Sequence, residues 1–294
     1  MNNNDTTKAD DLGKSKYFRV FLTFVRNSLV RDMSFRSNFI IECIASTSWM
    51  AMNFGFYVLI YQYTTEIGSG TGWGQYEFFV FLATTMFVNS IVQAFFMPNA
   101  QEFSELIRTG NLDFALLKPI DTQFLISLQR VDWSVLSNVV LGVALLAYSV
   151  WKLTTRAIDP VTIPWVAFAL YPFYILCGVA VLYSLMIALA ATSIWLGRNQ
   201  TLYDFWFYIT NFSRYPMEIY RVGLWTYMQV FFTFVIPVLL VINVPARLLA
   251  QPLSAQGTEA WALPAFTVVA TLFSLVASRW VFQKSLGSYR SASS

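Results

Sequence analysis

The chain has 294 residues, of which 56% are hydrophobic and only 12% charged, with a net charge of +3 and a mean hydropathy of +0.53. A soluble domain carries about 25% charged residues, so this composition cannot cover a water-facing surface and excludes an ordinary soluble globule. The charges that are present gather between long apolar blocks, the pattern of a protein that crosses a bilayer several times. Histidine is absent, which removes the commonest general base and a common metal ligand.

Residues 1–15 are polar and carry no secretory signal; they are expected to form a disordered cytoplasmic tail. Gly13-Lys14-Ser15 imitates the end of a phosphate loop, but the glycine that opens such a loop should stand at position 8, which is Lys8, and no strand precedes it. Residues 16–36 are amphipathic. Phe18, Phe21, Leu22, Val25 and Leu29 recur at helical steps while Arg19, Arg26 and Arg31 fall on the other side, so an interfacial helix is expected.

Six spans are predicted, at about residues 39–63, 77–97, 133–151, 163–196, 224–244 and 263–282. The 27 Phe, 15 Tyr and 10 Trp suit lipid-facing surfaces and interface belts. The fifth span is ambiguous. Pro237 interrupts the block 224–244, which either crosses with a kink or re-enters; in the second case residues 201–213 begin the fifth crossing. The domain plan is one six-helix membrane domain over residues 37–285, with a connecting loop at 99–122 and a short tail at 286–294. Cys43 and Cys177 lie inside apolar blocks, a poor setting for a structural disulfide.

Basic residues set the orientation. Lys8, Lys14, Lys16, Arg19, Arg26, Arg31 and Arg36 precede the first span, and Arg108, Lys118 and Arg130 come after the second. The opposite side receives Lys152, Arg156 and Arg247. This bias places both termini and the loop 99–132 in the cytoplasm. It also favours the cytoplasmic side for Arg198, Arg214 and Arg221, and hence residues 224–244 as the fifth span.

Within the loop, Asn99 is positioned as an N-cap after Pro98, with Glu102 at the third helical position. Phe103, Leu106 and Ile107 line one face, and Gly110 ends the helix. Residues 113–117 can form a second turn, and Asp121 or Thr122 can cap the entry to the third span. An exposed apolar edge on a cytoplasmic helix calls for a protein partner or the membrane surface, unless the segment is a plain connector.

Asn53, Asn89, Gln93, Asn138 and Gln229 are polar residues inside spans; they are candidates for lining a path, although such groups also hold helices together. Glu77, Asp132, Asp204 and Glu218 lie near predicted span ends, where interfacial placement is cheapest. The sequence has no G-x-S-x-G element, H-E-x-x-H motif or paired cysteine cluster, so an enzymatic reading has little to rest on.

The run 106–120 carries Ile107-Arg108, Gly110, Leu112-Asp113, Leu116-Leu117 and Pro119, and it resembles the I-R-x-G-x-L-D-x-x-L-L-x-P pattern of type-2 ABC transporter permeases. Tyr215-Pro216 with Ile219-Tyr220 resembles the same subfamily's Y-P-x-x-I-Y element. Ile236-Pro237 followed by Pro245-Ala246 resembles its I-P…P-A element, and Tyr289 with Ser291-Ala292 its terminal Y-x-S-A. The four strings occur in order across residues 17–292.

The resemblance implies an all-α membrane protein of six transmembrane helices with an N-terminal interface helix and a cytoplasmic coupling helix between spans two and three. It implies the permease subunit of an ATP-driven exporter in the cell membrane, paired with itself or a sister permease. A separate ATP-binding subunit would hold ATP and Mg, so this chain would need no cofactor and would be no enzyme itself. Glu102, Phe103, Glu105, Leu106, Ile107, Arg108 and Gly110 would carry the coupling contact. The resemblance also implies re-entrant elements between spans five and six, against the arginine count. Membrane lipid is an expected partner and nucleic acid is not. An ion-coupled secondary transporter and a scaffold that only recruits a cytoplasmic partner are the rival readings.

Overall fold

The computed structural model describes residues 3–68, 70–158, 160–196, 207–251 and 261–289. Helix α1 (Asn3–Ser34) begins within the stretch read as a polar tail and leads into α2 (Arg36–Ile60). Then come α3 (Gln75–Phe95), α4 (Met97–Arg108), α5 (Leu112–Leu116), α6 (Thr122–Leu128), α7 (Ser137–Thr154) and α8 (Trp165–Leu196). Beyond 3-10 turns at Phe212–Arg214 and Met217–Tyr220 lie α9 (Trp225–Val230, continued as π-helix to Val235), α10 (Leu240–Ala250) and α11 (Ala262–Ser288).

The described residues form an all-α membrane protein. Five helical stretches are long and apolar enough to cross a bilayer: α2, α3 with its continuation α4, α7, α8 and α11. Helix α3 is the hub, with Phe78, Phe79, Val80, Phe81 and Ala83 all buried against α7, α8 and α10. Helix α2 is the opposite case and has no buried residue. It is held near its middle by Ser46 and Thr47, which meet Asn138 and Ser137 of α7, and at its C-terminal end by Tyr61, whose hydroxyl donates to the Trp73 carbonyl at 3.0 Å.

The bundle has two faces. At the first, α4, α5 and α6 lie beside α1: the Tyr17 ring meets Phe124 edge-on at 5.0 Å, and Ser28 Oγ accepts from the Val131 amide at 3.1 Å. We call this the α4 face. The far face holds the α2–α3 loop with Trp73. Phe21 and Val25 of the expected amphipathic stripe turn toward the body, whereas Phe18, Leu22 and Leu29 remain exposed.

The described contacts resolve the fifth crossing. Helix α8 ends at the α4 face, where Ser193 Oγ pairs with Ser104 Oγ at 3.4 Å and Trp195 Nε1 donates to Ser288 Oγ at 2.5 Å. Glu218, in contrast, lies at the far face and accepts from Trp73 Nε1 at 2.8 Å. The 21 residues of α3 separate these faces by about 31 Å at 1.5 Å per residue. Trp195 and Glu218 therefore lie at opposite faces, as expected if the fifth crossing falls between them; residues 197–206, with Arg198 and Asp204, lie outside the described residues.

The block 224–244, favoured by the basic-residue count as the fifth span, does not cross. Helix α9 with its π extension and helix α10 meet at 94° around Pro237, and both ends of the pair return to the far face. Asn243 Oδ1 accepts from the Met217 amide at 2.8 Å, Arg247 pairs with Glu218, and Gln251 Nε2 donates to the Gly72 carbonyl at 3.1 Å. Pro237 has no amide to continue the helix, and Ile236 before it is extended (φ −116°, ψ 92°). Arg214 and Arg221 flank Glu218 and so lie at the far face too, against the arginine count. Helix α10 is apolar because it is packed inside the protein between α3 and α8.

Candidate functional site

The α4 face carries the densest polar and aromatic architecture built from the loop singled out by sequence. Pro98 sits in the first turn of α4, where its missing amide costs nothing. Asn99 is not the N-cap it resembles, because the helix starts at Met97 and Asn99 is buried inside it. Its amide donates to the carbonyls of Phe95 (2.6 Å) and Arg130 (2.7 Å), and its Oδ1 accepts from the Arg130 amide at 2.8 Å. The side chain thus clamps the segment after α6 to the junction of α3 and α4. Gly110 ends α4 as expected, at φ +71°, a left-handed conformation that glycine adopts without strain.

Phe103 is buried and packs on Phe282 of α11, ring centroids 5.8 Å apart. Around it lie Leu112, Leu125 and Ile126 from the loop helices and Ile187, Ala190 and Ala191 from α8. Leu106 and Ile107 rest half-buried against the same cluster. Glu102 pairs with Arg130 at 3.0 Å. Glu105 and Arg108 are exposed and paired with each other, Nε to Oε2 at 2.7 Å. The coupling residues named from sequence therefore divide: Phe103 and Glu102 root the helix, Leu106 and Ile107 line its seat, and Glu105, Arg108 and Gly110 form its tip.

Two apolar residues absent from that set stand out beyond the tip. In the second turn, α5, Phe114 is 69% exposed, and just past it Leu117 is 81% exposed. The signal for them was present, since both lie in the run 106–120 and the second turn was expected there. Periodicity alone, however, gave no reason to rank α5 above α4.

Asp121 caps α6, its Oδ1 accepting from the Phe124 amide at 2.9 Å. It also receives Arg279 of α11, Nη1 to Oδ1 at 3.1 Å, and Arg279 donates further to Gln123 Oε1 at 2.8 Å. The Arg279 hydrogen bond holds the Asp121 carboxyl below its ordinary pKa, with partial burial opposing and the Phe124 amide assisting. Tyr183 of α8 joins the network through Gln123 (3.0 Å) and Ser127 (2.8 Å). The loop helices are thus bonded to both α8 and α11.

The five path candidates lie on four helices, α2, α3, α7 and α9. Asn53 donates to Trp49 on its own helix at 2.8 Å, and Asn138 is buried and donates to Ser46 Oγ at 2.6 Å, joining α7 to α2. Asn89 is half-buried and Gln93 exposed on α3, while Gln229 is buried on α9. A cavity of about 500 Å³ between α2, α3 and α7, lined by residues such as Met50, Phe54, Phe79 and Leu145, has none of the five in its wall. Nor does a crease of about 340 Å³ between α8 and α11.

At the far face, Glu77 pairs with Arg156 at 3.0 Å, and Glu218 is shared between Trp73 and Arg247. Asp132 is held locally by the amide and hydroxyl of Ser134. No described group of histidine, cysteine and acidic residues is arranged to hold a metal ion.

The profile of the ABC-2 family transporter protein matches residues 47–293. Neither the curated proteins nor the solved structures yield a match. The family match takes in every crossing from the second half of α2 onward, the loop helices and the re-entrant pair, and on that extent the chain belongs to the ABC-2 family of transporter proteins, as the membrane permease of an ABC transporter.

Proposed function

We propose that this permease works as one half of a dimeric exporter, with separate ATP-binding subunits docked on its α4–α5 elbow from the cytoplasm. The observation that carries the reading is the contrast within that elbow. Its root is bonded and packed to the spans through Phe103–Phe282, Ser104–Ser193 and Asp121–Arg279. Its tip exposes Phe114 and Leu117 beside Arg108 and Lys118. An apolar anchor ringed by charge suits a cleft in a soluble partner. Displacement of the tip passes to α8 and α11, because close-packed interfaces transmit shifts rather than absorb them.

Glu105, Arg108 and Gly110 shape the tip, while Glu102 and Phe103, with Leu106 and Ile107 in the seat, carry its motion inward. ATP and Mg belong to the partner. The excess of basic residues around the termini and the α4 face supports a cytoplasmic placement of that face. The unburied length of α2 supports a second permease as its cover. Glu77 and Glu218 are both matched with arginines, an arrangement suited to a latch rather than to the ion relay of a secondary transporter.

The test is affinity purification of the full chain from native membranes in mild detergent, with bound proteins identified and ATPase activity assayed. Phe114→Asp with Leu117→Asp is run in parallel, because both side chains are exposed and their loss leaves folding intact. The reading expects a stoichiometric ATP-binding partner, with ATPase activity, that the double variant loses while its melting temperature holds. A well-folded native chain that retains no such partner refutes the reading, and transport driven by an ion gradient then takes its place. Uptake of cargo into inside-out vesicles on addition of ATP tests the direction.

A further inference from the structure

The crease between α8 and α11 runs from Phe266 to Val281 along α11 and from Val181 to Ala188 along α8, and the re-entrant bend at Ile236-Pro237 forms its roof. Fifteen residue steps on α11 make it about 22 Å long. A volume of about 340 Å³ drawn out over that length is a thin channel, far narrower than a helix about 10 Å across. Two of its three serines are turned to the helix backbone, Ser184 Oγ donating to the Ala180 carbonyl (2.7 Å) and Ser278 Oγ to that of Leu275 (3.0 Å), and apart from Ser274 the rest of the wall is apolar. Phe273 and Val269, at its open side, are exposed, so the channel opens sideways to the bilayer.

The end of the crease near the α4 face differs in kind. The α11 residues that line it recur at three and four positions, ending at Val281, and Lys284 is the next residue on the same stripe. Side chains on a helix lean toward its N-terminus, and the Lys284 ammonium lies back over the Trp280 ring at 4.9 Å, which brings it toward the mouth of the crease. Among the described residues no carboxylate pairs with it. Arg279, one turn away, is occupied by Asp121 and Gln123. Trp280 and Trp195 are both exposed at this level, the depth at which tryptophans mark the headgroup region.

An apolar track one chain wide, closed at its far end by the bend and leading toward a cation that no described carboxylate pairs, has the chemistry of an anionic amphiphile. We infer that this crease is a binding site for an anionic phospholipid of the leaflet on the α4 side, with one acyl chain between α8 and α11 and its phosphate at Lys284. The lipid would fill the space under the re-entrant bend, and its presence or absence would bear on how freely α11 moves against α8. The inference needs no ATP-binding partner and stands or falls separately from the docking proposal.

The test uses the full chain purified in detergent, equilibrated with equal amounts of phosphatidylglycerol and phosphatidylethanolamine of matched acyl chains, then diluted into lipid-free detergent. Native mass spectrometry reads what stays bound. The native chain is expected to retain phosphatidylglycerol over phosphatidylethanolamine by about fivefold, the factor that one lysine at an anionic headgroup contributes. Lys284→Gln, an exposed site whose replacement leaves the fold intact, should bring that ratio to parity. Ala277→Phe, which fills the track, should lose both lipids, with Ala277→Ser as the variant that keeps them. Equal retention of the two lipids by the native chain overturns the inference. So does a preference that survives Lys284→Gln, or retention unchanged in a folded Ala277→Phe chain.

Discussion

Each face of the bundle is tied by a carboxylate and an arginine, and burial makes the two ties physically different. At the far face Glu218 and Arg247 are 8% and 17% exposed, and Trp73 adds a hydrogen bond to the same carboxylate. At the α4 face Asp121 and Arg279 are 35% and 41% exposed, within reach of water. Removing one member of a buried pair strands a charge where nothing solvates it, whereas a half-exposed pair is screened and its members fall back on water. The far face is therefore locked: the pair joins the 3-10 turn at Met217–Tyr220 to α10, while Trp73 and Gln251 fasten both to the α2–α3 loop. The α4 face is anchored at its root but gives at its surface, which suits an element that receives a moving partner.

Glu218→Ala is the most severe way to probe this contrast. It should cost about 3–5 kcal/mol, read as the largest drop in thermal midpoint of the purified protein. Glu218→Leu combined with Arg247→Met should recover most of that loss, and a double variant as unstable as the single one would break the contrast. Phe103→Ala empties the centre of the α4-face cluster and should cost about 3 kcal/mol or more. A cost near zero would mean that the helix is a loose appendage rather than one rooted on Phe282.

Gly178→Ala sharpens the far-face side of the comparison. Its new Cβ would stand 2.6 Å from the Val241 carbonyl oxygen, so α8 and α10 must separate, at about 1–3 kcal/mol. A variant with unchanged melting would show that the two helices do not approach so closely.

The smallest effect is expected from Asp121→Asn, which keeps a capping side chain and loses only the charge, at about 1 kcal/mol or less. Its sign with pH is definite. The folded-state pKa of Asp121 is depressed by Arg279, so its contribution is complete above the ordinary carboxylate range and disappears as pH falls through the folded value. The gap in melting temperature between the native chain and the variant should stay constant down to about pH 5 and close below it. A gap that widens in acid would contradict the assignment.

Most crossings were legible in the sequence because they rest on a local property. Blocks such as 39–63 and 163–196 are long, apolar and nearly free of charge, and nothing but a bilayer or a large core accommodates that. Turn chemistry was legible for the same reason, since Gly110 and Asp121 act on residues a few positions away. The site residues were legible as a segment but not as individual positions: the 3.6-residue period groups Phe103, Leu106 and Ile107 on one side of α4 without saying that Phe282 lies there and that Phe114 and Leu117 are the apolar side chains that face outward.

By itself the sequence determined an all-helical membrane protein, the place of its loop helices and its family resemblance, because hydropathy, helix-ending glycines and short motifs are written in consecutive residues. Only the tertiary structure decided that residues 224–244 turn back, that Asn99 clamps Arg130 instead of capping its own helix, and that α8 and α11 leave a crease ending at Val281. Hydropathy measures how apolar a segment is and cannot distinguish lipid from protein as its surroundings. Helix α10, apolar yet enclosed by α3 and α8, is the place where the two possibilities look identical in sequence and differ in space.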